Sequence, residues 1–468
     1  MLSTWKNIFQ YSAIYLFMRG TFGVLGNIIF FNVFGPATLA LIKIAELFVT
    51  LPQILNLGVA NTMVLESVGK KRISDILTNF FLIKIVTFII ITIYILFDSL
   101  IFDILKEFLF IQKIFLIFLI ATTIFYNFSV NKNFISGEIH NLPKINSLMI
   151  FLNPVLYITL GYYFGLTGWF LISYIVFLVP AIYLIYPNRF KIYQNIDLNA
   201  FSSKVIIELF KKSPLYHLNQ KITWFIEISI FFVLINFIDI VDAGIIAFCL
   251  RLNALIAKTL GNIFQKRFYW INITNKNAHE LSIKEINLRI MQLSILFTIL
   301  IPTGILVLSF ILEYFIPKYE LALSFISICI IGSYSELIWG DLNRKAFLKS
   351  DQLTMLLNLI FNIVLISLFY VLFFYDTQMD KISFIFLSIG LLFFFRILFA
   401  SVLDILFYGN ISFGIFLILS NIFISIIGFY FCNLNLFVSI ENSMILLIQI
   451  VIFLLLILIF LKTYLNYK

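Results

Sequence analysis

The chain has 468 residues, of which 62% are hydrophobic, 18% aromatic and only 12% charged. A soluble domain is nearer to half apolar and a quarter charged, so this composition excludes a water-soluble globular protein. The apolar residues form runs of about 20, which is the length of a membrane-spanning helix, and they lack the alternation of barrel strands. We therefore predict an all-α, polytopic integral membrane protein. The net charge of +9 is expected to orient the chain and to contact anionic lipid, with no nucleic-acid partner.

Taken in chain order, the hydrophobic runs predict about fourteen transmembrane helices. The predicted spans are 9–33, 37–65, 76–97, 109–130, 145–165, 167–186, 214–236, 243–265, 288–313, 321–343, 352–375, 382–407, 411–431 and 443–461. The fifth and sixth are separated only at Gly165-Leu166-Thr167-Gly168. Because the longest gap, 187–213, is too short for a folded domain, the function is expected to lie within the membrane bundle.

The basic residues set the predicted orientation. With the N-terminus inside, Lys and Arg concentrate in the inner loops and tails. The outer loops and their edges hold Lys106, Lys113, Lys318 and Lys381. This asymmetry follows the positive-inside rule and predicts that both termini are cytoplasmic. The first apolar run is too long for a cleavable signal peptide.

The sequence predicts no metal or cofactor. Cys249, Cys329 and Cys432 lie in or beside apolar runs and are interpreted as core residues, with neither a disulfide pattern nor a metal spacing. The three histidines are isolated from one another. No phosphate-binding loop of the form GxxxxGK[ST] is present, which argues against direct use of ATP.

Several cations lie where lipid should exclude them, and they are the main candidates for a binding site. Arg19 lies near the middle of span 1, Lys43 lies in span 2, and Arg251 and Lys258 lie seven residues apart on one face of span 8. No acid lies one helical turn from Arg19, Arg251 or Lys258. Since midmembrane charges usually face a bundle interior or water, these residues indicate an anionic ligand.

A second group of charged residues could form structural ion pairs or carry a coupling ion. It comprises Glu46, Glu227, Glu336, Arg396 and Asp404. Lys43 and Glu46 are three residues apart on one helix face, and Arg396 could pair with Asp404 through a neighbour. Glu227 could instead pair with Arg19 or Arg251. Lys84 and Lys221 are expected to extend to the membrane surface from near the cytoplasmic ends of their helices.

Three stretches resemble a known superfamily. They are Phe34-Gly35-Pro36 with Leu55-Asn56-Leu57-Gly58-Val59-Ala60-Asn61, then Ala247-Phe248-Cys249-Leu250-Arg251-Leu252, and finally Phe315-Ile316-Pro317-Lys318-Tyr319-Glu320-Leu321-Ala322. These stretches and the layout of spans resemble the multidrug/oligosaccharidyl-lipid/polysaccharide exporter superfamily, and within it the O-antigen type of oligosaccharide flippase.

The resemblance implies an architecture and a transport activity. It implies two pseudo-symmetric six-helix lobes, 1–186 and 214–407, joined by a cytoplasmic linker at 187–213 and followed by two extra helices within 408–468. Arg19, Lys43, Arg251 and Lys258 would line a central cavity and hold the pyrophosphate of an undecaprenyl-diphosphate-linked oligosaccharide. Alternating access would move this lipid across a bacterial inner membrane. A polysaccharide polymerase and its chain-length machinery are further partners that the resemblance implies.

Two other functions remain open from the residues. One is a cation-coupled exporter of drugs or metabolites on the same fold, although Glu46 is the single midspan acid of the first six predicted spans. The other is a membrane enzyme such as a polymerase or polyprenyl-sugar transferase. The predicted outer loops are short for such an enzyme, so we expect a transporter rather than an enzyme.

Overall fold

The computed structural model describes residues 22–55, 73–98, 104–136, 141–185, 207, 217–219, 221–222, 226, 237–274, 278–349, 351–375, 381–408 and 411–432. All regular structure in these ranges is helical, and the ranges contain no strand. The predicted all-α class is thus confirmed. Two predicted spans, 214–236 and 443–461, lie largely or wholly outside the described residues.

The chain divides into two compact units, Met1–Leu218 with Phe231–Gly244, and Asn219–Ile230 with Ile245–Lys468. The helices of the first unit are α1 (Phe22–Val33), α2 (Pro36–Leu55), α3 (Ile73–Leu96), α4 (Phe110–Ser136), α5 (Asn141–Leu156) and α6 (Tyr162–Ile185). Those wholly or mostly in the second are α7 (Ile240–Thr274), α8 (Ala278–Phe315), α9 (Ile326–Leu348), α10 (Gln352–Tyr375), α11 (Lys381–Tyr408) and α12 (Ile411–Cys432).

Many of these helices have the length and apolarity of membrane spans. Among the described residues, seven stretches are long and apolar enough to cross a membrane, and up to eight are if α1 with α2 forms one bent span. Helix α10 shows what such a span exposes, since Leu353, Leu356, Ile360, Ile363 and Leu368 form an exposed apolar stripe. A stripe of this size needs an apolar solvent. The structure therefore supports a membrane-embedded protein, while the count of fourteen and the two six-helix lobes remain predictions.

The first predicted boundary between spans is a sharp turn. Helix α1 ends at Val33, α2 begins at Pro36, and their axes differ by 117°. Proline is favoured in the first turn of a helix because its missing N–H has no intrahelical partner there. A helix end followed by proline is what the Phe34-Gly35-Pro36 motif predicted.

The break predicted between the fifth and sixth spans is also present, within an otherwise continuous helical stretch, Lys144–Ile185. Gly165 has φ 52° and ψ −128°, a conformation that an L residue with a side chain rarely adopts. Three residues later, Gly168 lies so close to the Leu160 carbonyl that a Cβ atom would clash with it. A five-residue π-helical turn, Tyr157–Gly161, precedes the break.

One predicted loop is mostly helix. Hydropathy predicts a cytoplasmic loop between the span that ends at 265 and the span that starts at 288. The structure instead continues α7 to Thr274 and starts α8 at Ala278. Hydropathy detects residues that prefer lipid, whereas a helix can continue into water once its apolar run has ended. At 1.5 Å per residue, the 38 residues of α8 span about 57 Å, more than the roughly 30 Å of a hydrocarbon core.

Helix α9 forms the centre of the second unit. It packs against α8, α10, α11 and α12. In the apolar window that contains α9, 72% of the residues are buried, compared with 22% in that of α10. Charged side chains on α9 therefore face other helices of the unit, where each of them needs a partner.

Candidate functional site

The predicted site residues are distributed over both units, and two of them cannot be placed. Arg19 and Glu227 lie outside the described residues. Lys258 lies on helix α7, seven residues after Arg251 on continuous helix, but its side chain is also outside the described part. Lys43, Glu46, Arg251, Glu336, Arg396 and Asp404 all have described positions.

Lys43 and Glu46 lie in the middle of α2. The Lys43 side chain is buried, and Glu46 is half-buried. Apolar residues beside them, Ile42, Ile44 and Ala45, are also buried. The predicted cation of span 2 is therefore inside the first unit, at a position where an anionic group would find little competing water.

Lys84 does not extend to the surface as predicted. Its side chain is 2% exposed, its Nζ lies 3.5 Å from the Pro52 carbonyl oxygen, and it is 5.3 Å from the centre of the Phe80 ring. A carbonyl near the end of α2 and an aromatic face thus surround the ammonium group. Both are partial negative charges that an ammonium can use in place of water.

Arg251 lies in the second unit, in the apolar window of α7. Its side chain is half-buried, and it interacts electrostatically with Tyr319. Tyr319 is buried, and its ring stacks on Phe248, one turn before Arg251, with centroids 4.7 Å apart. The arginine is therefore positioned by packed aromatic residues and retains part of its surface.

The buried residues Trp339 and Arg396 and the half-buried Glu336 form a group between α9 and α11. The Arg396 guanidinium is fully buried and lies 4.2 Å from the centre of the Trp339 ring. It is attracted electrostatically by Glu336, and so is Lys221. The Trp339 indole N–H donates to the Asn219 carbonyl at 3.1 Å, which fixes the ring. Lys221 is half-buried, and its predicted extension to the membrane surface stays a prediction.

Asp404 has a different partner from the one the sequence suggested. Its Oδ1 accepts a hydrogen bond from the Lys345 ammonium at 2.5 Å, and the two side chains are 3% and 1% exposed. The structure thus pairs Asp404 with α9, while Arg396 stacks on Trp339. The sequence suggested that Arg396 could pair with Asp404 through a neighbour, but spacing along α11 does not show which helix each side chain meets.

Sequence reasoning missed a second ion pair. The Arg289 Nε on α8 lies 3.1 Å from the Asp341 Oδ2 on α9, with side chains 2% and 0% exposed. Asp341 and Lys345 are four residues apart and so lie on one face of α9. This spacing was the available signal. Hydropathy places Lys345 in a loop and Arg289 at the edge of its predicted span, so it does not reveal this pair.

The end of α9 and the start of α10 carry a polar cluster. Asp351 precedes α10 and accepts hydrogen bonds from the Thr354 N–H at 3.0 Å, the Thr354 hydroxyl at 2.6 Å and the Tyr408 hydroxyl at 3.0 Å. Partial burial alone would raise the pKa of Asp351, but these hydrogen bonds outweigh it and the pKa is lowered. Asp351 is therefore an N-cap that is held ionised.

The ion-paired charges of α9 and the cations Lys43 and Arg251 are suited to different chemistry. The α9 charges are neutralised by neighbouring helices, in the pairs Arg289–Asp341 and Lys345–Asp404. Such pairs can hold helices together or exchange a proton, but they offer no net charge to a ligand. Lys43 and Arg251 are cations within apolar helices, one in each unit, and a cation is a group that can bind an anion. The described residues contain no cluster of three or more His, Cys, Asp or Glu that could hold a metal ion.

Comparisons with known proteins assign no family. No family model matches the chain, and no curated protein is significantly similar to it.

Proposed function

We propose that the protein is a flippase that moves an undecaprenyl-diphosphate-linked oligosaccharide from the cytoplasmic to the periplasmic leaflet of a bacterial inner membrane. The observation that carries the proposal is Arg251, a half-buried guanidinium in an apolar stretch of α7. A planar guanidinium matches the oxygens of a pyrophosphate through two parallel hydrogen bonds. The proposal gives Arg19, Lys43 and Lys258 the same role of attracting the diphosphate.

The charge distribution supports an anionic substrate over a cationic one. Lys43 is buried within α2, and the acid nearest to it along that helix, Glu46, is half-buried. The most buried of the described acids in the second unit, Asp341 and Asp404, are each paired with a base. A cation-coupled exporter of drugs or metabolites is the alternative, in which Glu46 would carry the coupling ion.

The decisive experiment uses a strain that lacks this gene but keeps its glycosyltransferases. The proposal predicts that a diphosphate-linked oligosaccharide accumulates, that it is accessible only from the cytoplasmic face, and that surface glycan is lost. The wild-type gene should reverse all three effects. Unchanged lipid-linked sugar and unchanged surface glycan would overturn the proposal and favour the exporter.

Variants of one arginine test the proposed role of Arg251. Arg251→Ala should reduce transport by about 10- to 100-fold at normal membrane level, the range expected for losing a hydrogen bond to a charged group. Lys106→Ala is the matched control, because it removes one positive charge from an exposed turn outside the candidate membrane spans. Full transport by Arg251→Ala, or equal loss in Lys106→Ala, would contradict the role of Arg251.

A further inference from the structure

The Lys345–Asp404 pair lies at the ends of the membrane spans and not at their middle. The apolar window that contains α9 ends at Ala346, and that of α11 ends at Tyr408. Lys345 and Asp404 are therefore within one or two turns of the same end of the second unit, the end that the sequence predicts to be cytoplasmic. Here a layer of aromatic side chains, those of Tyr408 and Phe413, faces the Lys345 ammonium.

That layer connects the pair to the half-buried Asp351. The Tyr408 hydroxyl donates to Asp351, and the Tyr408 ring lies 5.1 Å from the Lys345 Nζ. The same ring lies 3.8 Å from the Nζ of the exposed Lys349. Tyr408 thus contacts the buried Lys345 and also two charged residues that reach solvent, Asp351 and Lys349.

Few charged residues on the neighbouring helices lie near Asp404. Helix α9 and its last turn provide Lys345 and Lys349, both of which attract the carboxylate. The start of α10 provides Asp351, through Tyr408. Arg396 is two turns earlier on α11 itself, and α12 has no acidic or basic residue, although its Phe413 ring lies 4.9 Å from Lys345.

One oxygen of Asp404 is available to a proton. Its Oδ1 accepts from Lys345, whereas Oδ2 is buried and has no hydrogen-bond partner among the described residues. A buried carboxylate oxygen without a donor carries an energetic cost that a proton would relieve. The carboxylate oxygens of Asp341 also lack hydrogen-bond partners among the described residues, but Asp341 lies one turn deeper along α9 than Lys345, and two guanidinium groups, Arg289 and Arg344, attract it.

We propose that Asp404 is a proton-binding site whose occupancy opens and closes the contact between the ends of α9 and α11, and so couples the proton gradient to transport. A proton from water bonds to Oδ2 of the carboxylate, which becomes a neutral carboxylic acid. Lys345 keeps its own proton and its charge. The attraction between the two side chains is lost, and Lys345 is free to turn towards water beyond Tyr408. Loss of the proton restores the pair. The coupling part of this inference rests on the proposed transport function, whereas the proton site does not.

Hydrogen exchange of the purified full chain tests the proton site without any substrate. Backbone exchange at 342–348 and 402–408 is followed between about pH 8 and about pH 5, corrected for the intrinsic pH dependence of exchange. In the wild type, acidification should accelerate corrected exchange at both segments by about tenfold. Asp404→Asn, which mimics the protonated acid, should exchange rapidly at every pH.

Two further variants separate protonation from a general loss of stability. The double variant Lys345→Met with Asp404→Leu replaces the ion pair by apolar contact, and it should stay protected at every pH. Asp98→Asn removes another buried acid, in the first unit, and should keep the wild-type response at 342–348 and 402–408. An unchanged pH response in Asp404→Asn, or none in the wild type, overturns the proton site.

A transport assay separates failure of this inference from failure of the proposed function. In inverted membrane vesicles, an ionophore that exchanges protons for potassium should reduce wild-type translocation of the lipid-linked oligosaccharide. Translocation that is unaffected overturns the coupling. If deletion of the gene leaves lipid-linked sugar unchanged, the proposed substrate is wrong, and the exchange experiment still decides whether Asp404 binds a proton.

Discussion

The two units stabilise their buried charges in different ways. In the first unit, Lys84 meets the Pro52 carbonyl and the Phe80 ring, and Asp98 accepts the N–H groups of Ile104 and Leu105. These contacts are made mostly with backbone dipoles and an aromatic face. The ion pair of Asp98 with Lys113 is long, at 4.0 Å, and its lysine is partly exposed. In the second unit, charged side chains on α9 meet opposite charges on α8 and α11. The difference indicates that removal of a single charged side chain should lower the free energy of unfolding far more in the second unit than in the first.

The largest effect is expected at the Arg289–Asp341 pair. Asp341→Leu leaves Arg289 charged, almost fully buried and without its carboxylate, which should cost about 3–5 kcal/mol of the free energy of unfolding. The double variant Arg289→Met with Asp341→Leu should recover most of that loss, because an apolar pair needs no desolvation of charge. Thermal unfolding in detergent measures both. A double variant as unstable as the single one would show that packing, and not charge, governs this contact.

A smaller effect is expected at the break in the first unit, which depends on backbone conformation and not on charge. Gly165→Ala should cost about 1–2 kcal/mol, since alanine resists a positive φ even though no atom lies within 4 Å of the added Cβ. Gly35→Ala is the matched control, with open space around its Cβ and no positive φ. Equal melting temperatures for the two variants would argue against strain at Gly165.

The cap of α10 should contribute about 1 kcal/mol, and its contribution should depend on pH. Asp351→Ala removes the hydrogen bonds to Thr354 and Tyr408. Because the pKa of Asp351 is lowered on folding, its carboxylate stabilises the fold above its unfolded pKa of about 3.9 and loses that contribution as the pH falls through the lower folded value. The difference in unfolding free energy between wild type and Asp351→Ala should therefore be constant near neutral pH and shrink below about pH 4. A difference that grows on acidification would contradict the assignment.

The smallest effect is expected at Lys84. Lys84→Met keeps most of the side-chain volume and the packing on Phe80 while it removes the long contact with the Pro52 carbonyl, so it should change the free energy of unfolding by less than about 1 kcal/mol. Lys345→Met is the direct comparison in the second unit, since it leaves Asp404 charged, 3% exposed and without its lysine. We expect Lys345→Met to lower the melting temperature clearly more than Lys84→Met does. Similar losses would show that the two units treat buried lysine alike.

Part of the candidate site could be predicted from the sequence. The positions of Lys43 and Arg251 within apolar helices follow from hydropathy, because a charge inside such a run is evident without coordinates. The partner of Asp404 could not be predicted, because a position on one helix does not show which helix packs against it. Lys345 lies on another helix, 59 residues earlier in the chain. Hydropathy also places Lys345 in a loop, although it lies on α9 one turn after Asp341.

By itself, the sequence determined that this is an all-helical chain suited to lipid, and it located the breaks at Pro36 and Gly165. These features are local, because apolar runs, proline and glycine act on their own segment of backbone. Only the tertiary structure decided that α9 is the buried helix of its unit and which charges neutralise one another there. It also showed helix across most of 266–287, where hydropathy predicted a loop. Burial and pairing depend on which helices pack side by side, and residue spacing within one helix does not contain that information.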